Sequence, residues 1–255
     1  AVAGAARARG VDLRTEREVI RISPSDRPGR FAVTTRPAQS SSAAPAGQEE
    51  THETDLVVHA AGRRPDLDAL GADEVGLETR AGRLVVDDRL RTTRHPETVL
   101  AVGDAAALGR PLTPVASAQA SVVVGQLLGR DDPRFRAAEQ PTVAFTHPPA
   151  AQVGARAHEL ADALRAGDVE RRAGDASGWQ TAERAGETVY AYEVLVDRGS
   201  NELRGATVVG PQAEETIHLF ALAMAEGIPA SRLAALLPAF PTAASDLSAL
   251  LSPDT

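Results

Sequence analysis

The sequence predicts a mixed fold, α/β over its first half and α+β over its second. Three observations carry that prediction. β-branched runs at 19–22, 31–35 and 55–60 are separated by turn residues. An apolar run at 114–128 follows a Thr-Pro pair, as a helix start should. In the second half, two runs at 190–196 and 205–209 flank the turn 197–201 and precede a long helical stretch, an order that suits an α+β sandwich better than a doubly wound sheet.

Residues 1–9 are rich in Ala and Arg and read as the end of a helix, which Gly10 stops. Strands are expected at 11–13, 19–22 and 31–35, with Pro24, Asp26, Pro28 and Gly29 forming the turn between the last two. Residues 37–54 are low in complexity, show neither helical nor strand period, and read as a solvated loop. A strand at 55–60 then runs out through Gly62 and Pro65. Short strands follow at 84–87 and 98–102, the second closed by Gly103-Asp104. The helix at 114–128 comes next, with Thr113 as N-cap and Pro114 at the first helical position, where its missing N–H costs nothing. A boundary falls near 129–140. Beyond it a strand is expected at 141–145, helices at 158–164, 213–226 and 231–237, and strands at 190–196 and 205–209.

Composition excludes several classes. With 27 basic and 35 acidic residues the chain carries a net charge of −8, and so lacks the basic field that non-specific nucleic-acid binding needs. No apolar run reaches the roughly 20 residues that span a bilayer, and no signal peptide is visible at the start; a cytoplasmic location is the expectation. Cysteine is absent, which rules out a disulfide framework, a thiolate metal site and a cysteine nucleophile in these residues. All basic residues are arginine, so there is neither a Walker lysine nor a Schiff-base lysine. No two of the 21 glycines are separated by a single residue, so G-x-G-x-x-G is missing. The six histidines are scattered, without metal-ligand spacing.

Three stretches in order carry a resemblance. They are 55–66 (DLVVHAAGRRPD), 98–106 (TVLAVGDAA) with 112–116 (LTPVA), and 141–149 (PTVAFTHPP) with 152–154 (QVG). Together they resemble the flavin-dependent pyridine nucleotide–disulfide oxidoreductases, the family of glutathione reductase, dihydrolipoamide dehydrogenase and mercuric reductase. The resemblance runs over nearly the whole chain except the loop at 37–54. It implies an α/β remnant of the nucleotide-binding domains plus an α+β C-terminal dimerisation domain. Residues 1–60 would be the C-terminal part of the NAD(P)-binding domain, 61–130 the segment returning to the FAD domain, and 139–255 the dimerisation domain. The family's Gly-rich loops and redox cysteine pair would lie before Ala1.

The resemblance also implies cofactors, FAD and NAD(P)H, and residues that hold them. Asp104, after Gly103, would bind the ribityl chain of FAD; a plain strand-ending turn is the blander reading. Leu112 and Thr113 open a helix whose free N–H groups and positive dipole end suit the pyrimidine side of the flavin. Gly62 and Arg63 match the A-x-G-R-x-P-N turn, with Asp66 in place of Asn. Gly62 would permit close backbone approach, while Arg63 would pair with a carboxylate or stay solvated. His147 reads as a turn residue before Pro148-Pro149, His218 as a buried or interfacial structural group, and His59 as a packed strand residue.

One departure bears on the reaction. Disulfide-reducing members carry H-P-T-x-x-E, in which the His is acid/base across the dimer interface and the Glu orients it. Here 239–247 read AFPTAASDL, so Phe240 stands at the His position and Ser245 at the Glu position, leaving the catalytic pair absent. The implied function is an FAD-dependent NAD(P)H oxidoreductase passing hydride from nicotinamide to flavin and on to an unknown acceptor. It would act as a homodimer through the C-terminal domain, with the 255 residues alone inactive. The alternative is a non-catalytic dimerisation or scaffold protein derived from that fold.

Overall fold

The computed structural model describes residues 1–38, 49–130, 133–136 and 139–252. The chain divides into two compact units, Ala6–Arg63 and Ala1–Ala5 with Arg64–Thr255. The division runs through helix α1 (Val2–Ala8).

The smaller unit is built on a three-stranded antiparallel sheet of β1 (Arg17–Pro24), β2 (Phe31–Pro37) and β3 (Glu50–Thr54), in that order. The first two strands form where the β-branched runs stand. The third corrects the reading of 37–54 as a loop; residues 39–48 lie outside the described residues. Strand β3 has the sequence ETHET and no apolar residue to announce it. Polar cross-strand pairs hold it instead. Arg17 Nη1 donates to Glu50 Oε1 at 3.1 Å, and the Thr34 and Thr51 hydroxyls lie 3.0 Å apart.

Two expected strands of this unit are not strands. Residues 11–13 and 55–60 join no ladder among the described residues. An apolar run becomes a strand only where a neighbour takes up its N–H and C=O groups, and Leu56 and Val58 are instead 73% and 76% exposed. His59, expected to be packed, is exposed for the same reason.

In the larger unit, residues 64–130 have little regular structure before their one long helix. β4 (Thr79–Arg80) and β5 (Arg83–Leu84) form a two-stranded hairpin. The expected strand at 84–87 thus shrinks to its start, and 98–102 contributes only the bridge Arg91↔Leu100. Two small clusters organise the region. Leu67, Ala72, Leu84, Ala101 and Ala106 form one; Leu90, Val115 and Phe135 form the other. Helix α2 (Thr113–Leu127) closes the segment. Its N-cap is Leu112 rather than Thr113, without a side-chain cap, so Thr113 is already the first helical residue.

Residues 139–252 carry a five-stranded antiparallel sheet ordered β6-β7-β10-β9-β8, where β6 is Thr142–Ala144, β7 Ala150–Gly154, β8 Val169–Asp175, β9 Ala191–Asp197 and β10 Leu203–Val209. Short helices α3 (Ala161–Ala166) and α4 (Gln180–Ala185) flank β8, and α3 starts three residues later than the expected 158. Helix α5 (Ala213–Ala225) packs on β7 and β10, followed by α6 (Ala230–Ala234) and α7 (Leu247–Leu250). Val153, Val194, Val196, Val208, Ile217 and Phe220 fill the core between sheet and helix. This is the α+β unit that the sequence predicts.

The sheet is tightest where Gly154 faces Gly205 across β7 and β10. A Cβ on Gly205 would lie 2.0 Å from Ala155 O, so only glycine lets the two strands approach. Among the described residues no helix is long and apolar enough to cross a membrane.

Candidate functional site

The turn at 103–105 and the start of α2 form the site that the sequence singles out in the larger unit. Gly103, Asp104 and Ala105 make one 3₁₀ turn. Gly103 adopts φ +63, and a Cβ there would lie 3.2 Å from the Ala116 Cβ, so the turn rests directly on the first turns of α2. The Asp104 side chain is exposed and joins no hydrogen bond or ion pair among the described residues. Its carboxylate is therefore free to accept from hydroxyls of a ligand.

The helix start is also open. Thr113 is exposed and Leu112 half-buried, and no side chain caps the first turn. Leu112 N–H is taken by Arg110 O and Pro114 has no N–H, but the Thr113 and Val115 N–H groups and the positive end of the helix dipole remain available to an electron-rich acceptor. A flavin fits these groups: one free carboxylate that accepts from hydroxyls, and uncapped N–H groups that donate to ring oxygens.

Three side chains that sequence reasoning missed hold this arrangement in place. Gln119, on α2 and 0% exposed, accepts from Gly103 N–H through Oε1 at 2.7 Å. Its Nε2 donates to Leu108 O, also at 2.7 Å. From the other side, Arg83 Nε donates to Asp104 O at 3.0 Å and Nη1 to Gly109 O at 3.2 Å. Arg80 Nη2 adds a bond of 3.1 Å to Ala107 O. Much of the loop's backbone is thus tied down while the Asp104 carboxylate is left out. An amide inside the apolar run of TPVASAQASVVVGQL, one of two there, was the only sequence signal of Gln119; nothing marked Arg83 among 27 arginines.

Gly62 and Arg63 belong to the smaller unit. Both are exposed; Gly62 has φ +85 with nothing within 4 Å of an added Cβ. Arg63 joins no ion pair among the described residues, so its expected carboxylate partner is not seen there. His218 is exposed rather than buried, on the rim of a cleft of about 330 Å³ with Leu112, Val115, Phe135 and Glu139. His147 lies in a bend 3.7 Å from Glu187 Oε1, as a turn residue would.

In the segment 239–247, Phe240 and Ser245 hold the two positions that the sequence singles out. Phe240 is 71% exposed, before a cis bond to Pro241. Ser245 is used in a capping box: its Oγ accepts from Thr242 N–H at 3.2 Å and donates to Thr242 O at 2.5 Å. Asp246 turns inward, where its oxygens accept from the Thr181 and Tyr190 hydroxyls. Burial raises its pKa from 3.8, against the pull of those two bonds. Burial, with the neighbouring Asp246 charge, also raises the pKa of Tyr190.

Comparison with known proteins agrees in both halves. Residues 1–120 match the model of the pyridine nucleotide-disulphide oxidoreductases, and residues 140–250 match that of the pyridine nucleotide-disulphide oxidoreductase dimerisation domain. An uncharacterized 19.7 kDa protein in the mercuric resistance operon of Staphylococcus aureus is 34% identical over 183 residues, which are 71% of this chain and 100% of that protein. Dihydrolipoyl dehydrogenase of the same organism is 33% identical over 205 residues, 77% of this chain but only 41% of the enzyme. The HOCl-induced flavoprotein disulfide reductase RclA of Escherichia coli superposes with a TM-score of 0.77 at 23% identity, over 98% of this chain and 53% of that one. At that identity the likeness shows the fold alone.

Proposed function

The chain belongs to the pyridine nucleotide-disulphide oxidoreductase family, and from that premise we propose that it forms part of an FAD-dependent NAD(P)H oxidoreductase. In this reading residues 1–60 complete the NAD(P)-binding domain, 61–130 return to the FAD domain, and 139–255 pair two copies. The observation that carries it is the free Asp104 carboxylate on a turn packed against the uncapped start of α2.

Gly103 and Asp104 hold the sugar-like chain of the flavin, the carboxylate accepting from its hydroxyls. Thr113, next to Leu112 whose own N–H is taken by Arg110 O at 2.9 Å, offers its N–H to the pyrimidine edge, where the helix dipole favours negative charge. In the smaller unit, Gly62 has no side chain and nothing within 4 Å of an added Cβ, so its backbone is open to a ligand, and Arg63 adjoins it in the chain. The bound flavin would accept a hydride from the reduced nicotinamide and pass electrons to an acceptor. Phe240 cannot take or give a proton, and neither Ser245 nor Asp246 is placed to replace the missing pair. The reaction therefore proceeds without acid/base help from this segment. Exposed Leu237 and Phe240 on the C-terminal domain are apolar groups that a second copy would cover.

The test is the absorbance spectrum of the complete gene product. Oxidised-flavin bands that bleach on adding NADH or NADPH support the reading. No flavin after reconstitution with FAD overturns it, in favour of a non-catalytic dimerisation protein, the reading that Phe240 and Ser245 favour.

A further inference from the structure

The flavin reading places Asp104 and the start of α2 on the same ligand, so their separation has to be fixed. Residues 103–112 connect them, and a loop of that length does not fix a distance by itself. Arg83 and Arg80 tie it from the hairpin side, and one side chain on α2 itself spans it. Gln119 lies six residues beyond Thr113 on α2, fully buried. Its Oε1 meets Gly103 N–H, where the loop begins, and its Nε2 meets Leu108 O, near the middle of the loop, both at 2.7 Å.

The chemistry of the two contacts makes the amide specific. A backbone N–H requires an acceptor and a backbone carbonyl requires a donor; an amide, like a protonated carboxyl, offers both from two atoms on one carbon. An apolar side chain of the same size would leave two backbone groups unpaired. Because Gln119 stands on the helix whose first turn ends the loop, it references both loop contacts to that helix.

We propose that Gln119 is a positioning residue for the flavin: it sets the Asp104 turn against the start of α2 without touching the ligand. The assignment rests on the flavin reading. Gln126 supplies the control. It stands on the same helix, and its Nε2 donates at 2.6 Å to Arg89 O, outside the 103–112 loop.

The experiment measures FAD affinity and the visible circular dichroism of the bound flavin in the complete gene product and in Gln119→Leu, Gln119→Glu and Gln126→Leu. Gln119→Leu should weaken FAD binding by about tenfold or more and alter the flavin dichroism, since two backbone groups lose their partners. Gln126→Leu loses a comparable bond and should leave both readouts unchanged. Gln119→Glu tests the donor directly. Burial raises the pKa of the new carboxyl, so its protonated form replaces the amide at low pH. FAD affinity should then be near that of the wild type at low pH and fall as pH rises, relative to the wild type measured alongside.

FAD affinity in Gln119→Leu equal to the wild type, or equal loss in Gln119→Leu and Gln126→Leu, overturns the assignment and leaves the flavin reading standing. If Gln119→Leu does not fold, the pH series of Gln119→Glu decides, and a pH-independent affinity ratio overturns the assignment. A wild-type protein that takes up no flavin overturns both.

Discussion

The Tyr190 hydroxyl donates to Asp246 Oδ2 at 3.2 Å while Thr181 Oγ1 donates to Oδ1 at 3.1 Å. A residue just before β9 and one at the start of α4 thus hold the turn that follows Phe240 and Pro241. The carboxylate beside the family's catalytic position is built into the core of the domain.

That placement gives a pH dependence. Burial raises the folded pKa of Asp246 above 3.8, so the folded state holds the proton more tightly than the unfolded state. Stability from this group is fully present below 3.8 and is lost as pH rises through the raised folded value. Asp246→Asn removes the titration and keeps a carbonyl acceptor. Relative to Asp246→Asn, the wild type should therefore lose melting temperature as pH climbs from about 4, a range set by the ordinary carboxylate value. Thermal unfolding of both proteins across that range checks it; parallel curves would sink the idea.

Asp87 behaves in the opposite sense. Burial opposes its ionisation, but Arg91 and the N–H groups of Arg89 and Arg91 outweigh it and lower its pKa. Its Oδ2 accepts from Arg91 Nε and Nη2 at 2.9 and 2.7 Å, and Oδ1 from the two N–H groups. These bonds close the turn that seats fully buried Leu90 at φ +64. Stability from Asp87 is present above 3.8 and lost as pH falls through its lowered folded value. Asp87→Ala should cost about 1–3 kcal/mol at neutral pH, read by urea unfolding, and less under acid conditions.

Gly205 is the position least tolerant of a side chain. A Cβ would meet Ala155 O at 2.0 Å, and the facing Gly154 has φ +70 with its own Cβ site 2.5 Å from Arg204 O. Neither obstacle is a flexible side chain. Gly205→Ala should destabilise the C-terminal domain by about 3 kcal/mol. Denaturant unfolding would reveal this as a lower midpoint at unchanged slope. A loss under about 0.5 kcal/mol, as at an ordinary surface site, would mean that β7 and β10 can part there.

What the sequence shows and what it hides divide along a physical line. Strands β9 and β10 and helix α5 bury apolar side chains, and apolar spacing announces them; β1 and β2 are announced by β-branched runs although their apolar side chains are exposed or half-buried, and α2 by its apolar run after Thr-Pro. β3 and β8 escape because edge strands carry charge. In β8, Arg171 pairs with Glu193, while Arg172 turns inward to Glu170 and the Leu251 carbonyl. Residues 55–60 err the other way: their pattern is that of a strand, but a ladder needs a partner that a local pattern does not contain. The site follows the same rule. Asp104 stands in a recognisable motif, whereas Gln119 matters through two contacts 11 and 16 residues away that only the fold reveals.

The capping box at Thr242 and Ser245 lets the proposed lack of an acid/base pair be tested in two steps. Ser245 stands three residues after the Thr242 N-cap, the position that Glu fills in a Thr-x-x-Glu box. Ser245→Glu should cost the domain no more than about 1 kcal/mol, because the carboxylate can accept the Thr242 N–H in place of the hydroxyl but cannot donate to Thr242 O. Phe240 is largely exposed, so Phe240→His should be equally mild. Together they restore a base and the group that orients it. In the complete gene product, the double variant should gain disulfide reduction of about 10²-fold over wild type, with a pH dependence near the histidine range. Phe240→His alone should gain far less, its imidazole lacking a carboxylate partner. Steady-state assays of wild type, both single variants and the double variant decide it. Equal rates in the two His-containing proteins would show that orientation by that carboxylate is not what the natural sequence lacks.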